Sequence, residues 1–405
     1  MSNWKKVKLS ECCLSIADGD HQPPPKAEQG IPFVTISNIT SLNQFDFSNT
    51  LYVPQDYYDQ LDEKRKAREG DVLYSVVGSF GIPVFMKENK EFVFQRHIAI
   101  LRPDSNAIIP QFLFYTMLTR DFYAKADAAA LGAAQRTVSL TSLRNIEINI
   151  PEKIVQLKIV EILSAFDNLI ENNQKQIKLL EEAAQRLYKE WFVDLRFPGY
   201  EDVHIVDGVP EGWRKCVISD ICDTVGGGTP STSRKEYYDG GTIPWVTPTD
   251  LTKDGSLILL DTEKHITEDG LNNSSAKILP SNTILMTSRA SIGYFALCEQ
   301  EVCTNQGFIS CIPKHEYIRY YLLYNLMNRV EEIKGKATGS TFLEIAKRTF
   351  RDMGILIPSE NILQGFSSYI TPYIERMRAI RKQINHLNEA RDRLLPKLMS
   401  GEIEL

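Results

Sequence analysis

The sequence predicts an α+β fold: two pseudo-symmetric mixed α/β domains separated by an antiparallel coiled-coil pair of long helices. Three observations carry this. A heptad-spaced apolar seam runs through a long helical stretch, the same seam returns 207 residues later, and the sequence before each copy repeats motif by motif.

The first seam is Leu163, Phe166, Ile170, Asn173, Ile177, Leu180, Ala184, Leu187 and Trp191, at alternating steps of three and four. Such steps keep one stripe of a helix facing a partner. The second is Ile370, Tyr373, Met377, Ile380, Ile384, Leu387, Arg391, Leu394 and Leu398, each 207 residues after its counterpart. Four heptads span about 42 Å at ~1.5 Å per residue, more than a small core buries end to end. Two unrelated amphipathic core helices would have no reason to share this phase.

The repeat extends outside the helices. Trp4-Lys-Lys-Val-Lys-Leu is echoed by Trp213-Arg-Lys-Cys-Val-Ile, and Ile31-Pro-Phe-Val-Thr by Ile243-Pro-Trp-Val-Thr. Asp71-Val-Leu-Tyr-Ser matches Thr283-Ile-Leu-Met-Thr, Ala130-Leu-Gly132 matches Ala337-Thr-Gly339, and Ile150-Pro151 matches Ile357-Pro358. The offset drifts between 207 and 212, as small insertions in surface loops would make it. A period of half the chain means two similar halves rather than a solenoid.

In each half, short β-type runs come first: Val72 to Val77, Phe92 to Leu101 and Ile146 to Ile150, then Ile284 to Thr287, Phe308 to Ile312 and Gly354 to Ile357. Gly, Pro and Asn turns separate them. One helical segment accompanies each set, Gln111 to Ala129 and Tyr317 to Gly335. Pro151 and Pro358 then open the long helices, where the missing N–H costs nothing. Pro372 has no counterpart in the first helix and predicts a kink or short break. The Pro/Gly-rich acidic stretch from Phe197 to Gly212 reads as a linker, and Gly401 caps the last helix. The organisation is therefore residues 1–150 as a first domain, 151–198 as its helix, 199–212 as a linker, 213–357 as a second domain and 358–405 as its helix. A two-fold axis across the seam would make the helices antiparallel, and the expected shape is two heads held apart by a rod.

Composition bounds the chemistry. The 405 residues are 43% hydrophobic and 24% charged, ordinary for soluble domains. No apolar run approaches the ~18 residues of a membrane span, which points to a cytoplasmic protein. Seven cysteines, two of them adjacent at Cys12 and Cys13, suit no disulfide framework. The net charge of −6 argues against a large basic face, so nucleic-acid binding would need local cations or a partner's charge.

Catalytic patterns are weak. Gly335-Lys-Ala-Thr-Gly-Ser-Thr has its Gly-Lys ahead of the glycines, the wrong order for a phosphate loop. Gly226-Gly-Gly228 reads as a turn. No Asp/Asn-Pro-Pro-aromatic methyltransferase motif occurs. Asp62-Glu-Lys64 has the D-x-K shape of nuclease sites without an upstream acid, and reads as a solvated charge run. The cysteines contain no C-x-x-C pair for zinc. A chain without chemistry of its own is expected, with no cofactor and no metal.

Leu187-Tyr-Lys-Glu-Trp-Phe-Val-Asp-Leu-Arg-Phe-Pro-Gly199 resembles the conserved central region of specificity (S) subunits of type I restriction–modification systems. Leu394-Leu-Pro-Lys-Leu-Met-Ser-Gly-Glu-Ile403 resembles the end of their second conserved region, and Gly339-Ser-Thr and Ile357-Pro358 match the usual entry to it. Ala133-Ala-Gln135 departs from the small-residue turn kept in the second half. The resemblance covers the whole chain and implies two target-recognition domains, each followed by a conserved helix. It further implies that each domain reads half of a bipartite double-stranded DNA target while the helices set the gap. The helices would dock two methyltransferase (M) subunits, and restriction/motor (R) subunits would complete the enzyme. S-adenosylmethionine, ATP and Mg would then belong to those partners. The alternative is a coiled-coil scaffold whose domains bind proteins without DNA specificity.

Polar residues in turns are the candidate DNA readers, because a turn can present them to a groove. In the first domain these are Ser37, Asn38, Ser79, Gln95, Arg96, Gln135 and Arg136. In the second they are Arg234, Lys235, Thr249, Ser288, Arg289, Asn305 and Gln306, with Arg289 favoured because it follows a strand. The opposing reading for each is a solvated loop residue or a turn hydrogen bond. Within the seam, Asn173 and Arg391 are polar exceptions able to set register at some cost in stability.

Overall fold

A computed structural model describes residues 4–405 except 21–23, 41–42, 79, 133–135, 254 and 340. The chain divides into two compact units, Met1–Ile170 with His386–Leu405, and Glu171–Asn385.

In the first unit the four-stranded antiparallel sheet runs in the order Cys13–Asp18, Ile98–Pro103, Val72–Ser75, Pro83–Phe85. Alternation along Val72–Ser75 explains its burial on both faces. Val72 and Tyr74 pack with Leu101, Phe112 and Leu113 on one side. Leu73 packs with Ile100, Phe92 and Phe94 on the other. A three-stranded sheet pairs Ile31–Val34 with Leu51–Val53 and, in parallel, with Val93–Phe94. Lys5–Lys8 and Glu147–Ile150 form a closing antiparallel pair.

The second unit repeats this plan with one added strand. Its main sheet runs Cys222–Gly226, Phe308–Pro313, Ile284–Thr287, Phe295–Cys298, Ile258–Leu259. His265–Ile266, Ile243–Val246 and Cys303–Thr304 form the smaller sheet, and Arg214–Val217 pairs with Gly354–Ile357.

Several sequence expectations need correcting. The single helices drawn over 111–129 and 317–335 are each two. Pro110–Met117 ends where Thr119 caps Arg120–Ala129, its hydroxyl accepting from the Phe122 N–H at 3.2 Å. Arg319–Asn328 and Val330–Gly335 divide at Arg329. The strand drawn over 92–101 is broken by a turn at 95–97. The stretch read as a linker contains a small hairpin, Ile205–Val206 against Val209–Pro210. Asp207 and Gly208 both have positive φ, as a two-residue Asp-Gly turn requires.

The long helices are Lys153–Tyr188, continued by a wider turn at Lys189–Val193, and Glu360–Ser400. Both begin two residues after the prolines expected to open them. The second runs through Pro372 without the expected break; the Thr371 hydroxyl donates to the Ser367 carbonyl at 2.8 Å in the turn that receives the proline. Within the second unit the helices are antiparallel: Arg376 reaches Gln176, and Trp191 meets Phe366 at 5.7 Å between ring centroids. Ala184, Tyr188 and Trp191 share a core there with Leu363, Phe366, Ile370 and Met377. In the first unit Ile159, Val160 and Leu163 share a core with Leu395 and Leu398. Every position of the two seams is buried or half-buried. Asn173 is 5% exposed, and its Nδ2 has no hydrogen-bond partner among the described residues. Among the described residues no helix is long and apolar enough to cross a membrane.

Candidate nucleic-acid interface

Each unit brings the same three turns together at the end of its central strand. In the first unit the strand Val72–Ser75 runs into Val76, whose N–H donates to the His97 carbonyl at 2.8 Å. Gly78 N–H donates to the Arg136 carbonyl at 3.1 Å, and Leu131 and Val77 both bridge to Thr137. In the second unit Ser288 N–H donates to the Gly307 carbonyl at 2.8 Å, and Ala290 N–H to the Leu343 carbonyl at 2.8 Å. Thr338 and Arg289 both bridge to Glu344. A strand-end turn, the turn before Ile98–Pro103 or Phe308–Pro313, and the bridged pair Leu131–Thr137 or Thr338–Glu344 thus form one surface in each domain.

A fourth turn repeats beside them. Thr35 N–H donates to Asn38 Oδ1 at 2.9 Å, as Thr247 N–H does to Asp250 Oδ2 at 2.7 Å. In the second unit this turn joins the cluster through Asn305 N–H, which donates to the Val246 carbonyl at 3.0 Å. Glycine is required for the close approach. A Cβ on Gly227 would stand 2.1 Å from the Thr304 and Asn305 carbonyl oxygens, and one on Gly19 would stand 2.2 Å from that of Phe94. The Gly226-Gly-Gly228 run is therefore a packing device.

The candidate readers separate by what their side chains already do. Ser37 and Arg96 are exposed. Asn38 is committed to its turn, accepting from Thr35 and donating to the Asp46 carbonyl at 3.3 Å. Gln95 is half-buried in the turn beside Asp20. Arg136 pairs with Asp127 at 2.5 Å and lies over the Phe80 ring. Ser79 and Gln135 lie outside the described residues. In the second domain Thr249 is exposed in the short helix Pro248–Thr252. Arg289 is exposed, 3.7 Å from Glu344. Asn305 Oδ1 accepts from the Gly307 N–H at 2.9 Å, and Gln306 accepts from the Thr229 hydroxyl. Ser288 departs from expectation: at 2% exposure it is enclosed between Gly307 and Ile345 and offers nothing to a groove. Arg234 and Lys235 are exposed on a different turn, one joined to Glu268–Asn272 through Thr267 N–H and the Tyr237 carbonyl.

Two cations were missed. Lys347 reaches the main sheet so closely that a Cβ on Gly226 would sit 1.8 Å from its Nζ, and the Arg348 side chain is 95% exposed. The adjacent Lys-Arg pair just past the hairpin was the available signal. The D-x-K sequence at Asp62 is a turn cap, Asp62 accepting from the Lys64 N–H at 2.8 Å. Hydrogen bonds from Lys66 and Arg68 hold the neighbouring Glu63 carboxyl below its ordinary range. Among the described residues no group of three or more His, Cys, Asp or Glu side chains is placed to hold a metal ion. What the turns offer is a set of hydrogen-bond donors and acceptors on a rigid sheet.

Comparison with known proteins bears on both halves of the chain. The family model for the type I restriction modification DNA specificity domain matches residues 1–182 and again 210–389. The HindI specificity subunit of Haemophilus influenzae is 25% identical over 475 aligned positions that cover 100% of both chains. The MjaIX specificity subunit of Methanocaldococcus jannaschii is 37% identical over 177 residues, 43% of this chain and 41% of that one. The crystal structure of a type I S subunit from M. genitalium shares the fold at a TM-score of 0.56 and 16% identity, covering 98% of this chain and 96% of that one.

Proposed function

The chain belongs to the type I restriction–modification DNA specificity family and carries two recognition domains, and we propose that each domain reads one half of a bipartite DNA target. The observation that carries this is the duplicated turn cluster: the same strand end, turn and hairpin are hydrogen-bonded alike in both domains. Two equal readers in one chain suit a target of two parts with an unread gap. The length of the long helices sets that gap, and their outer faces dock two methyltransferase subunits. Restriction/motor subunits complete the complex.

The chain recognises and does not catalyse. S-adenosylmethionine, ATP and Mg act on the partner subunits, and the purified chain is expected to bind none of them. The acidic balance fits a reader whose partners supply much of the phosphate-neutralising charge. Ser37, Arg96, Thr249, Arg289 and Gln306 remain the readers in this proposal, since their side chains stand at the surface of the clusters. The setting is the bacterial or archaeal cytoplasm, where the DNA is. Methylome sequencing of cells carrying the chain with its methyltransferase subunit tests the reading. Two short methylated half-sites with a fixed gap are expected; one continuous site, or no new methylation, would overturn it.

A further inference from the structure

The hairpins of the two clusters differ in what they carry. Backbone pairing fixes the correspondence: Arg136 and Leu343 accept from the N–H of Gly78 and Ala290, and Thr137 and Glu344 hold the bridges. Leu343 therefore stands where the first domain has Arg136, and Phe342 is the residue before it in the sequence. Phe342 is 57% exposed and Leu343 50%, and neither joins an apolar cluster of the unit. Gly339, at φ +144°, lets the hairpin close, because a Cβ there would lie 2.1 Å from the Phe342 carbonyl oxygen. An aromatic and a leucine are thus held out on a constrained turn.

Their surroundings are those of the proposed DNA face. Arg289 bridges to Glu344, the residue after Leu343, and Lys347 and Arg348 follow. An exposed apolar pair flanked by cations matches the chemistry of duplex DNA: phosphates outside, stacked apolar bases within. We propose that Phe342, with Leu343 behind it, is an apolar wedge that enters the DNA and partly unstacks a base step in the half-site read by the second domain. The first domain has no aromatic residue between Leu131 and Thr137 and so no counterpart of the Phe342 wedge, although Leu131 itself is exposed. Deformation at that step gives the second half-site a preference for flexible steps that no hydrogen bond specifies. This inference rests on the proposed reading of the turn clusters as the DNA face.

The test uses the full chain assembled with its methyltransferase subunit, on a duplex carrying the methylome-defined target. 2-Aminopurine is placed in turn at steps of each half-site away from the methylated adenine, which a methyltransferase subunit itself would flip out of the stack. Wild type is expected to raise its fluorescence several-fold at one step of the second half-site and at none of the first. Phe342→Ser should abolish that rise and weaken binding about tenfold while leaving assembly, followed by gel filtration, intact. Arg289→Ala is the control for the face itself, expected to relax base preference in the same half-site. Loss of specificity in Arg289→Ala with no effect of Phe342→Ser on fluorescence or affinity would overturn the wedge and leave the reading of the face standing. No effect of either variant would overturn both. Failure of Phe342→Ser to assemble would assign the pair to a protein partner and end the proposal.

Discussion

In the first unit the Tyr115 hydroxyl donates to Asp167 at 2.6 Å, and Asp167 faces Arg391 at 3.0 Å. One polar chain thus ties the domain helix Pro110–Met117 to both long helices. Burial, helped by the Asp167 charge, pushes the Tyr115 hydroxyl well above its ordinary pKa. In the second unit the aligned stretch, Tyr321 to Arg329 against Phe112 to Arg120, places Tyr324 where the first has Tyr115. The Tyr324 hydroxyl is buried with no hydrogen-bond partner among the described residues. Aromatic packing replaces the ion pair: Phe366 is surrounded by Tyr188, Trp191, Phe192 and Tyr324, with ring centroids 4.8–6.4 Å away. At this position one duplicated frame is fastened by an ion pair in one copy and by packed rings, with the Asn325–Tyr188 hydrogen bond beside them, in the other. The ion pair fixes alignment for modest energy, and the aromatic cluster supplies the larger stabilisation.

That contrast can be broken by substitution. Phe366→Ala should destabilise the second unit by about 4 kcal/mol, since it leaves a cavity among fully buried rings. Chemical denaturation followed by tryptophan fluorescence measures it, and a loss under about 1 kcal/mol would remove the distinction between the units. Arg391→Ala should cost about 2 kcal/mol by leaving Asp167 with Tyr115 alone. Arg391→Leu combined with Asp167→Leu and Tyr115→Phe should recover most of that loss, because replacing all three leaves neither an unpaired charge nor an orphaned hydroxyl. Asn173→Leu should stabilise the helix pair by about 1 kcal/mol, since its amide nitrogen is buried unpartnered, while loosening register. An unchanged or lowered melting temperature contradicts this.

The smallest effect is confined to alkaline solution. Burial pushes the Tyr188 hydroxyl from 10.0 to about 12, although the Asn325 side chain at 3.0 Å pulls the other way. A raised folded-state pKa means that folding favours the neutral phenol. Its contribution is complete below about pH 10 and is lost as pH rises through about 12. The decline in stability over that range should be shallower in Tyr188→Phe; an identical decline would show that Tyr188 does not titrate with unfolding.

The helices were legible because a heptad seam is a periodic signal that needs no tertiary context. Central strands such as Ile284–Thr287 were legible because burial on both faces leaves an unbroken apolar run. Local competition hid the rest. A threonine cap at Thr119 divides an otherwise continuous helical pattern. The long helix continues through Pro372, a residue that ends most helices. At the candidate interface, residue type marked the right turns but not the direction of each side chain. Ser288 and Arg289 are neighbours in sequence, one enclosed and one exposed, and only the hydrogen bonds to Gly307 and Glu344's hairpin decide which.

The most direct test compares the methylomes specified by wild type and by Arg289→Ala, each expressed with the methyltransferase subunit. Separate reading by the two domains predicts degeneracy at one or two positions of a single half-site, with the other half-site and the gap unchanged. Degeneracy spread over both half-sites, or a changed gap, would contradict it.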